Sequence, residues 1–443
     1  MEQKLGFIVV GHRNYPNDIG LLMAKKAVLN LRKKKVNVVF KDEAIVDPLR
    51  ARELALEMVG EDLDGVIFFM GTWIEAPVAM AAIRELEYLP LAIWGFPMFE
   101  REGKLDSTGS FVAFCVLKGA LERIGLKCKY LVGAVDDEDT LLQAKSFTQA
   151  AFAKKALKRT RVGLIGYASM GMYSGTFDHL LLRSTIGPEV EHLDTYLLIK
   201  KAEELTSSQI EEIVEKIKMK GEIDPEIKPE ILEKVARLYG GLKDLVKKYS
   251  LNAVCVKCQY ELSQVYGCTP CVPLSLLADE GTVCACEGDV PTTVTMAILH
   301  YLTDQSIYYG DILDVKGKNI LLSSCGFAPF SLANPEDKIK IKDIGHPGFT
   351  GLISSFTLKR GKITFARLNE GKGSYRMNIG TGEGIETELR QGRFPALRVK
   401  IDGSMDKFLE TIASQHYAIA YGDIVKSLLD LCQILNIEPI LID

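Results

Sequence analysis

Arg161-Val162-Gly163-Leu164-Ile165-Gly166 restarts a pattern the chain has already used in Gly6-Phe7-Ile8-Val9-Val10-Gly11. A short apolar run closed by glycine, with helical periodicity behind it, is how a layer of parallel strands and crossover helices begins. Two such starts predict two α/β layers. Outward from the first, strands are expected at residues 5–10, 36–40, 65–69, 91–94 and 130–132, with helices over 19–33 and 49–59. Asp106-Ser107-Thr108-Gly109 supplies N-cap chemistry for a further helix. Residues 1–159 are therefore read as an N-terminal α/β domain, ending in the basic stretch Lys154-Lys155-Ala156-Leu157-Lys158-Arg159.

Outward from the second start, a polar helical region spans 207–248, a strand 252–256 and a helix 290–302 whose Pro291 suits a first turn. Residues 160–310 form a second α/β domain. From Asp311 the runs shorten and turn residues separate them, at 319–323, 350–358, 361–368, 375–380 and 397–401. A helix at 424–435 precedes Pro439-Ile440-Leu441-Ile442. The predicted class is α/β: two open parallel-sheet domains followed by a β-rich C-terminal domain, 311–443, built as a barrel or sandwich.

Bulk properties narrow the function. At 443 residues the chain exceeds what one core organises, and 47% hydrophobic with 25% charged residues is ordinary for a globular protein. A net charge of −4 without a basic cluster excludes the footprint that phosphate backbones require, so nucleic acid is not an expected partner. The apolar run 7–10 is too short for a signal-peptide core and no segment is long enough to span a bilayer, so no membrane partner is expected and the cytoplasm is the expected location. Ten cysteines without a secretory context read as buried thiols or site residues rather than a disulfide framework.

The densest group of reactive side chains lies between Cys255 and Asp289. Cys255-x-x-Cys258 and Cys268-x-x-Cys271 admit a structural zinc site, although the first pair sits in an apolar strand rather than a glycine-rich knuckle, and buried thiols are the plainer account. Glu261 and Asp289 both follow expected strands, where open α/β sheets place their ligands. Each has a bland alternative, a solvated loop residue for Glu261 and a helix cap for Asp289. His416, in His416-Tyr417-Ala418-Ile419-Ala420-Tyr421-Gly422-Asp423, is the third candidate, against the commoner role of a hydrogen-bonded structural histidine. Two carboxylates and an imidazole suit Mn²⁺ or another divalent first-row metal.

Several segments in order resemble the L-fucose/L-arabinose isomerase superfamily, specifically its L-fucose isomerase-like branch. They are Gly71-Thr72-Trp73, Lys257-Cys258-Gln259-Tyr260-Glu261, Cys286-Glu287-Gly288-Asp289 ahead of Thr293-Val294-Thr295-Met296, Cys325-Gly326-Phe327-Ala328-Pro329, and the His416 segment. The resemblance implies an aldose–ketose isomerase acting on an open-chain sugar through a cis-enediol. It implies Mn²⁺ held by Glu261, Asp289 and His416, with Glu261 and Asp289 moving the proton. It further implies a homo-oligomer, a trimer or hexamer, whose neighbouring first domain covers the site with His12, Arg13 and Trp73; Gln259, beside the carboxylates, is a further candidate for substrate binding. Ser324-Cys325-Gly326 departs from the His-Cys-Gly of relatives, and the chain is shorter than the fucose isomerases. The substrate therefore stays open between an L-fucose- or L-arabinose-like sugar and an anionic modified sugar, and a non-catalytic sugar sensor is the rival from another class.

Overall fold

The computed structural model describes residues 3–443. The chain divides into two units, one running to Lys155 and recovering Lys426–Leu435, the other holding Ala156–Val425 and Asn436–Asp443. In the first unit five strands, β1 Lys4–Val10, β2 Asn37–Ile45, β3 Gly65–Met70, β4 Leu91–Gly95 and β5 Lys129–Val132, form a parallel sheet in the order β2-β1-β3-β4-β5. Period-two alternation decides which core each residue joins. Ile8, Val10, Val66 and Phe68 meet helices Pro48–Val59, Ala76–Leu86 and Ser110–Arg123, while Phe7, Val9, Ile67 and Phe69 meet Asn17–Lys33 and Glu138–Arg159. Covering both faces is why these strands read as unbroken apolar runs.

Helix Val425–Leu435 returns to this unit. Ile434 packs on the second of the two cores, and the buried Asp430 accepts hydrogen bonds from Ser146 Oγ (2.6 Å) and Lys129 Nζ (2.6 Å).

In the second unit β6 Arg161–Ile165, β7 Glu189–Leu193, β8 Ala253–Val256 and β9 Val283–Cys286 make a parallel sheet ordered β9-β8-β6-β7. The expected helical region 207–248 is two helices, Ser207–Lys220 and Pro229–Tyr249, parted where extended Gly221 starts the two-residue strand Glu222–Ile223. Helix Cys271–Asp279 is buried on nearly every side, so no amphipathic stripe marks it in the sequence.

The β-rich region closes on itself. Strands β10 Tyr308–Lys316, β11 Asn319–Ser323, β12 Gly361–Glu370, β13 Tyr375–Ile385, β14 Ala396–Ile401, β15 His416–Tyr421 and β16 Glu438–Ile442 are ordered β12-β15-β10-β11-β14-β13-β16, and β12 also pairs along β13. That pairing turns the first six strands into a barrel and leaves no open edge between β12 and β13. Of the run 350–358 only its end reaches the barrel, where Thr357 bridges to Ala396; Leu352–Ser355 pairs instead with Lys340–Asp343, which pairs with Glu222–Ile223. Among the described residues no helix is long and apolar enough to cross a membrane.

Candidate active site

Because β8 and β9 are parallel neighbours in register Val256 to Cys286, the residues that leave their C-terminal ends meet. Gln259 donates from Nε2 to Glu287 Oε1 at 3.1 Å, and both side chains are buried. The turn that aims Glu287 is strained. Glu287 adopts φ +64 and Gly288 φ +67, and a Cβ on Gly288 would stand 2.1 Å from the Tyr167 carbonyl oxygen. Left-handed backbone is disfavoured for a residue with a side chain and is retained where a site over-determines it. Tyr260, after β8, also has positive φ, at +64.

Asp289 caps a helix with one carboxylate oxygen and meets His416 with the other. Its Oδ1 accepts the Thr292 N–H at 2.9 Å and caps helix Val290–Thr303. Its Oδ2 lies 2.8 Å from His416 Nδ1 and accepts from Arg367 Nη1 at 2.7 Å. Arg367, 1% exposed in β12, also donates to Thr292 Oγ1, to the His416 carbonyl (3.2 Å) and to the Ser174 carbonyl (2.7 Å).

His416 opens β15 and is fully buried. On the side opposite Asp289, its Nε2 lies 3.0 Å from Asp311 Oδ1 and 3.4 Å from Glu287 Oε2. Neither carboxylate stands in the direction of a ring N–H bond, so Nε2 has no well-aimed partner. The Tyr309 hydroxyl is 2.7 Å from Nδ1, but one nitrogen carries one proton, and the anionic Asp289 is the stronger acceptor for it. Burial opposes an imidazolium here, yet Asp289, Asp311 and Glu287 outweigh it and raise His416 well above the ordinary histidine range. Burial likewise favours a neutral Asp289, and the facing Arg367 and His416 hold it well below the usual carboxylate range; Glu287 is held low against its own burial mainly by His416.

The charge count tests whether a metal fits. Three carboxylates, Glu287, Asp289 and Asp311, face one guanidinium and an imidazole that they hold protonated; a cation bound at Nε2 would displace that proton and meet two net negative charges. A divalent cation on the Nε2 side balances them and takes two oxygens and a nitrogen, the donors that borderline first-row ions prefer. Asp289 on Nδ1 would then fix the ring tautomer, as carboxylates commonly do for metal-bound histidines. The residues fit the group.

Of the residues expected from sequence, the structure thus brings together Asp289, His416 and Gln259. Glu261 starts the turn Glu261–Tyr266 with a half-exposed side chain that accepts from Lys257 Nζ at 3.0 Å, and no described contact links it to Asp289 or His416. Glu287 holds the place beside His416 instead. His12, Arg13 and Trp73 lie in the first unit, after β1 and β3. His12 stands edge-on to Trp73 (5.2 Å between ring centroids), Tyr15 stacks on Trp73 (5.8 Å), and Arg13 is exposed. Asp311 and Arg367, beside His416 and Asp289, are not singled out by the sequence, because each is one of several charges within a strand. A cavity of about 960 Å³ opens beside Pro291, lined by Ser174, Asn369, Glu370, Arg376 and Lys407 among others; Glu287, Asp289 and Asp311 do not border it.

Residues 351–442 match the L-fucose isomerase C-terminal domain family. Over 98% of its length the chain is 23% identical to sulfoquinovose isomerases of Priestia aryabhattai and Priestia megaterium, covering 97% of each. A sulfoquinovose isomerase of Alkalicoccus urumqiensis is 22% identical, with 88% of both chains covered.

Proposed function

We infer that this chain, a member of the L-fucose isomerase-like branch, is an aldose–ketose isomerase that moves a proton between C1 and C2 of an open-chain sugar through a cis-enediol. The observation that carries the reading is the convergence of Glu287, Asp289 and Asp311 on one buried imidazole, His416, with Arg367 paired to Asp289.

In this proposal Glu287, Asp311 and His416 hold a divalent first-row metal, Mn²⁺ being the first to try, with Asp289 steering His416 or joining the donors directly. When bound, the metal supplies Lewis acidity at the sugar carbonyl. Asp289 is a weak base while Arg367 grips it, because an ion pair stabilises its anion. Glu287 is therefore the first choice for proton transfer, with Glu261 as the second carboxylate if sugar binding draws it from Lys257. Gln259, whose Oε1 is buried without a partner, offers an acceptor to a sugar hydroxyl.

The relatives' name favours a sulfonated, anionic sugar as substrate. Lys257, at the end of β8, would then answer the sulfonate in place of Glu261. The His12, Arg13 and Trp73 patch is proposed to cover the site of a neighbouring subunit in a homo-oligomer.

The test is to incubate metal-stripped protein with neutral and sulfonated aldoses and ketoses in D₂O, with and without Mn²⁺, and follow C1 and C2 by NMR. Metal-dependent product with deuterium at the shifted position is expected. Saturable sugar binding without exchange, whatever metal is added, would overturn the isomerase reading in favour of a sensor.

A further inference from the structure

The wall of the site behind Glu287 is made of thiols. Cys258 Sγ, Cys286 Sγ and a Glu287 carboxylate oxygen all lie within 4.8 Å of one another, and all three residues are buried. Cys325 approaches the same carboxylate, its Sγ 3.6 Å from Glu287 Oε1. The grouping crosses strands and ignores the Cys-x-x-Cys spacing. Cys255 turns its thiol to the Cys286 carbonyl, and Cys268 and Cys271 direct theirs at Thr269. Parallel pairing of β8 with β9 brings Cys258 and Cys286 together, so the set is a product of the fold.

A tetrahedral zinc with sulfur ligands at about 2.3 Å needs its sulfurs about 3.8 Å apart, which separations up to 4.8 Å reach by small rotamer changes. Glu287 divides the two donor sets. Its Oε2 faces His416 Nε2, within an oxygen and nitrogen set, and its Oε1 accepts from the Cys325 thiol. Soft cations take thiolates and hard ones take carboxylates, so each set selects its own metal.

We propose that Cys258, Cys286 and Glu287, with Cys325 completing the tetrahedron, form a second cation site for a thiophilic divalent ion such as Zn²⁺ or Cd²⁺, which competes with the isomerase metal for the Glu287 carboxylate. Binding forms three metal–sulfur bonds and one metal–oxygen bond and releases the three thiol protons of Cys258, Cys286 and Cys325 to solvent. The site itself stands on geometry alone; its inhibitory effect rests on the function proposed above.

Cd²⁺ titrated into the full chain preloaded with Mn²⁺ tests both parts. Thiolate-to-cadmium charge-transfer absorption reports the sulfur site, and the electron spin resonance signal of freed Mn²⁺ reports the competition. One Cd²⁺ per chain is expected to raise the absorption and release Mn²⁺. Cys258→Ser and Cys286→Ser should each lower Cd²⁺ affinity at least tenfold and stop the release, while Cys115→Ser, at an exposed thiol, should change neither. Absorption that is absent, or unchanged in both serine variants, would overturn the site. Absorption that disappears in the variants without any Mn²⁺ release in the parent would keep the site and overturn the competition. A chain that never binds Mn²⁺ but shows the cysteine-dependent absorption would count against the metal reading of the isomerase and leave the thiol site standing.

Discussion

Replacing Arg367 by methionine removes the one guanidinium that meets Asp289 in a buried space where both side chains are 1% exposed. Methionine fills much of the same volume, so the cost is electrostatic rather than a cavity. Breaking a buried pair by deleting one partner costs about 3–5 kcal/mol, because the survivor remains as an uncompensated charge. The Ser174 and His416 carbonyls lose a donor as well, so the upper part of that range is expected. The second unit has roughly 280 residues, and unfolding entropies near 2.1 cal/mol/K per residue convert the loss to a fall of about 5–8 °C in its melting transition. Calorimetry of wild type, Arg367→Met, Asp289→Asn and the double variant measures this. The double variant should recover most of the loss, because it carries no lone buried charge. An Arg367→Met transition within about 1 °C of wild type would refute the buried-pair reasoning, as would a double variant that is simply the sum of the singles.

Glu287→Gln is expected to cut turnover at least about a hundredfold, and Glu261→Gln to cut it far less; equal losses in steady-state rates would return Glu261 to the centre. Asp289→Asn should weaken metal binding about 10–100-fold, read by equilibrium dialysis, since it frees the His416 tautomer; unchanged affinity would show that Asp289 does not steer the ring. Burial pushes the Cys128 thiol up to about 11 and Cys268 and Cys432 up to about 12, and only a thiolate alkylates. At pH 8 iodoacetamide should therefore label the exposed Cys115 first, the buried thiols becoming reactive only as pH climbs towards those values or the chain unfolds; mass spectrometry showing equal early labelling of Cys268 would contradict this. Gly288→Ala forces a Cβ against the Tyr167 carbonyl in left-handed backbone and should cost at least about 1–2 kcal/mol, with a lower melting temperature and impaired catalysis together.

How far the sequence reveals the site depends on what binds each residue to its neighbours. Asp289 was legible because a carboxylate between a strand and a proline-led helix has few other places to go, and His416 because it heads a recognisable apolar run. Glu261 and Glu287 are equally plausible on paper, each just past a strand. What separates them is backbone direction: two consecutive left-handed residues turn Glu287 inward, while Glu261 begins a turn that leaves it beside Lys257. Asp311 and Arg367 resemble solvent-facing charges in alternating strands. Only the pairing of β15 with β10 on one side and β12 on the other, strands distant in sequence, brings Asp311 to the imidazole and Arg367 to the His416 carbonyl. The parallel layers were visible because local apolar runs encode them; the capture of helix Val425–Leu435 by the first unit was not, because it depends on Asp430 meeting Ser146 and Lys129.

That capture has a consequence for biosynthesis. During translation the ribosome delivers the five-stranded sheet long before Asp430 emerges, so Ser146 and Lys129 wait without the carboxylate that later satisfies them, and the core around Ile434 lacks part of its cover. Contacts that span this much chain close late and leave intermediates exposed. Helix Val425–Leu435 is therefore the latch that completes the first unit.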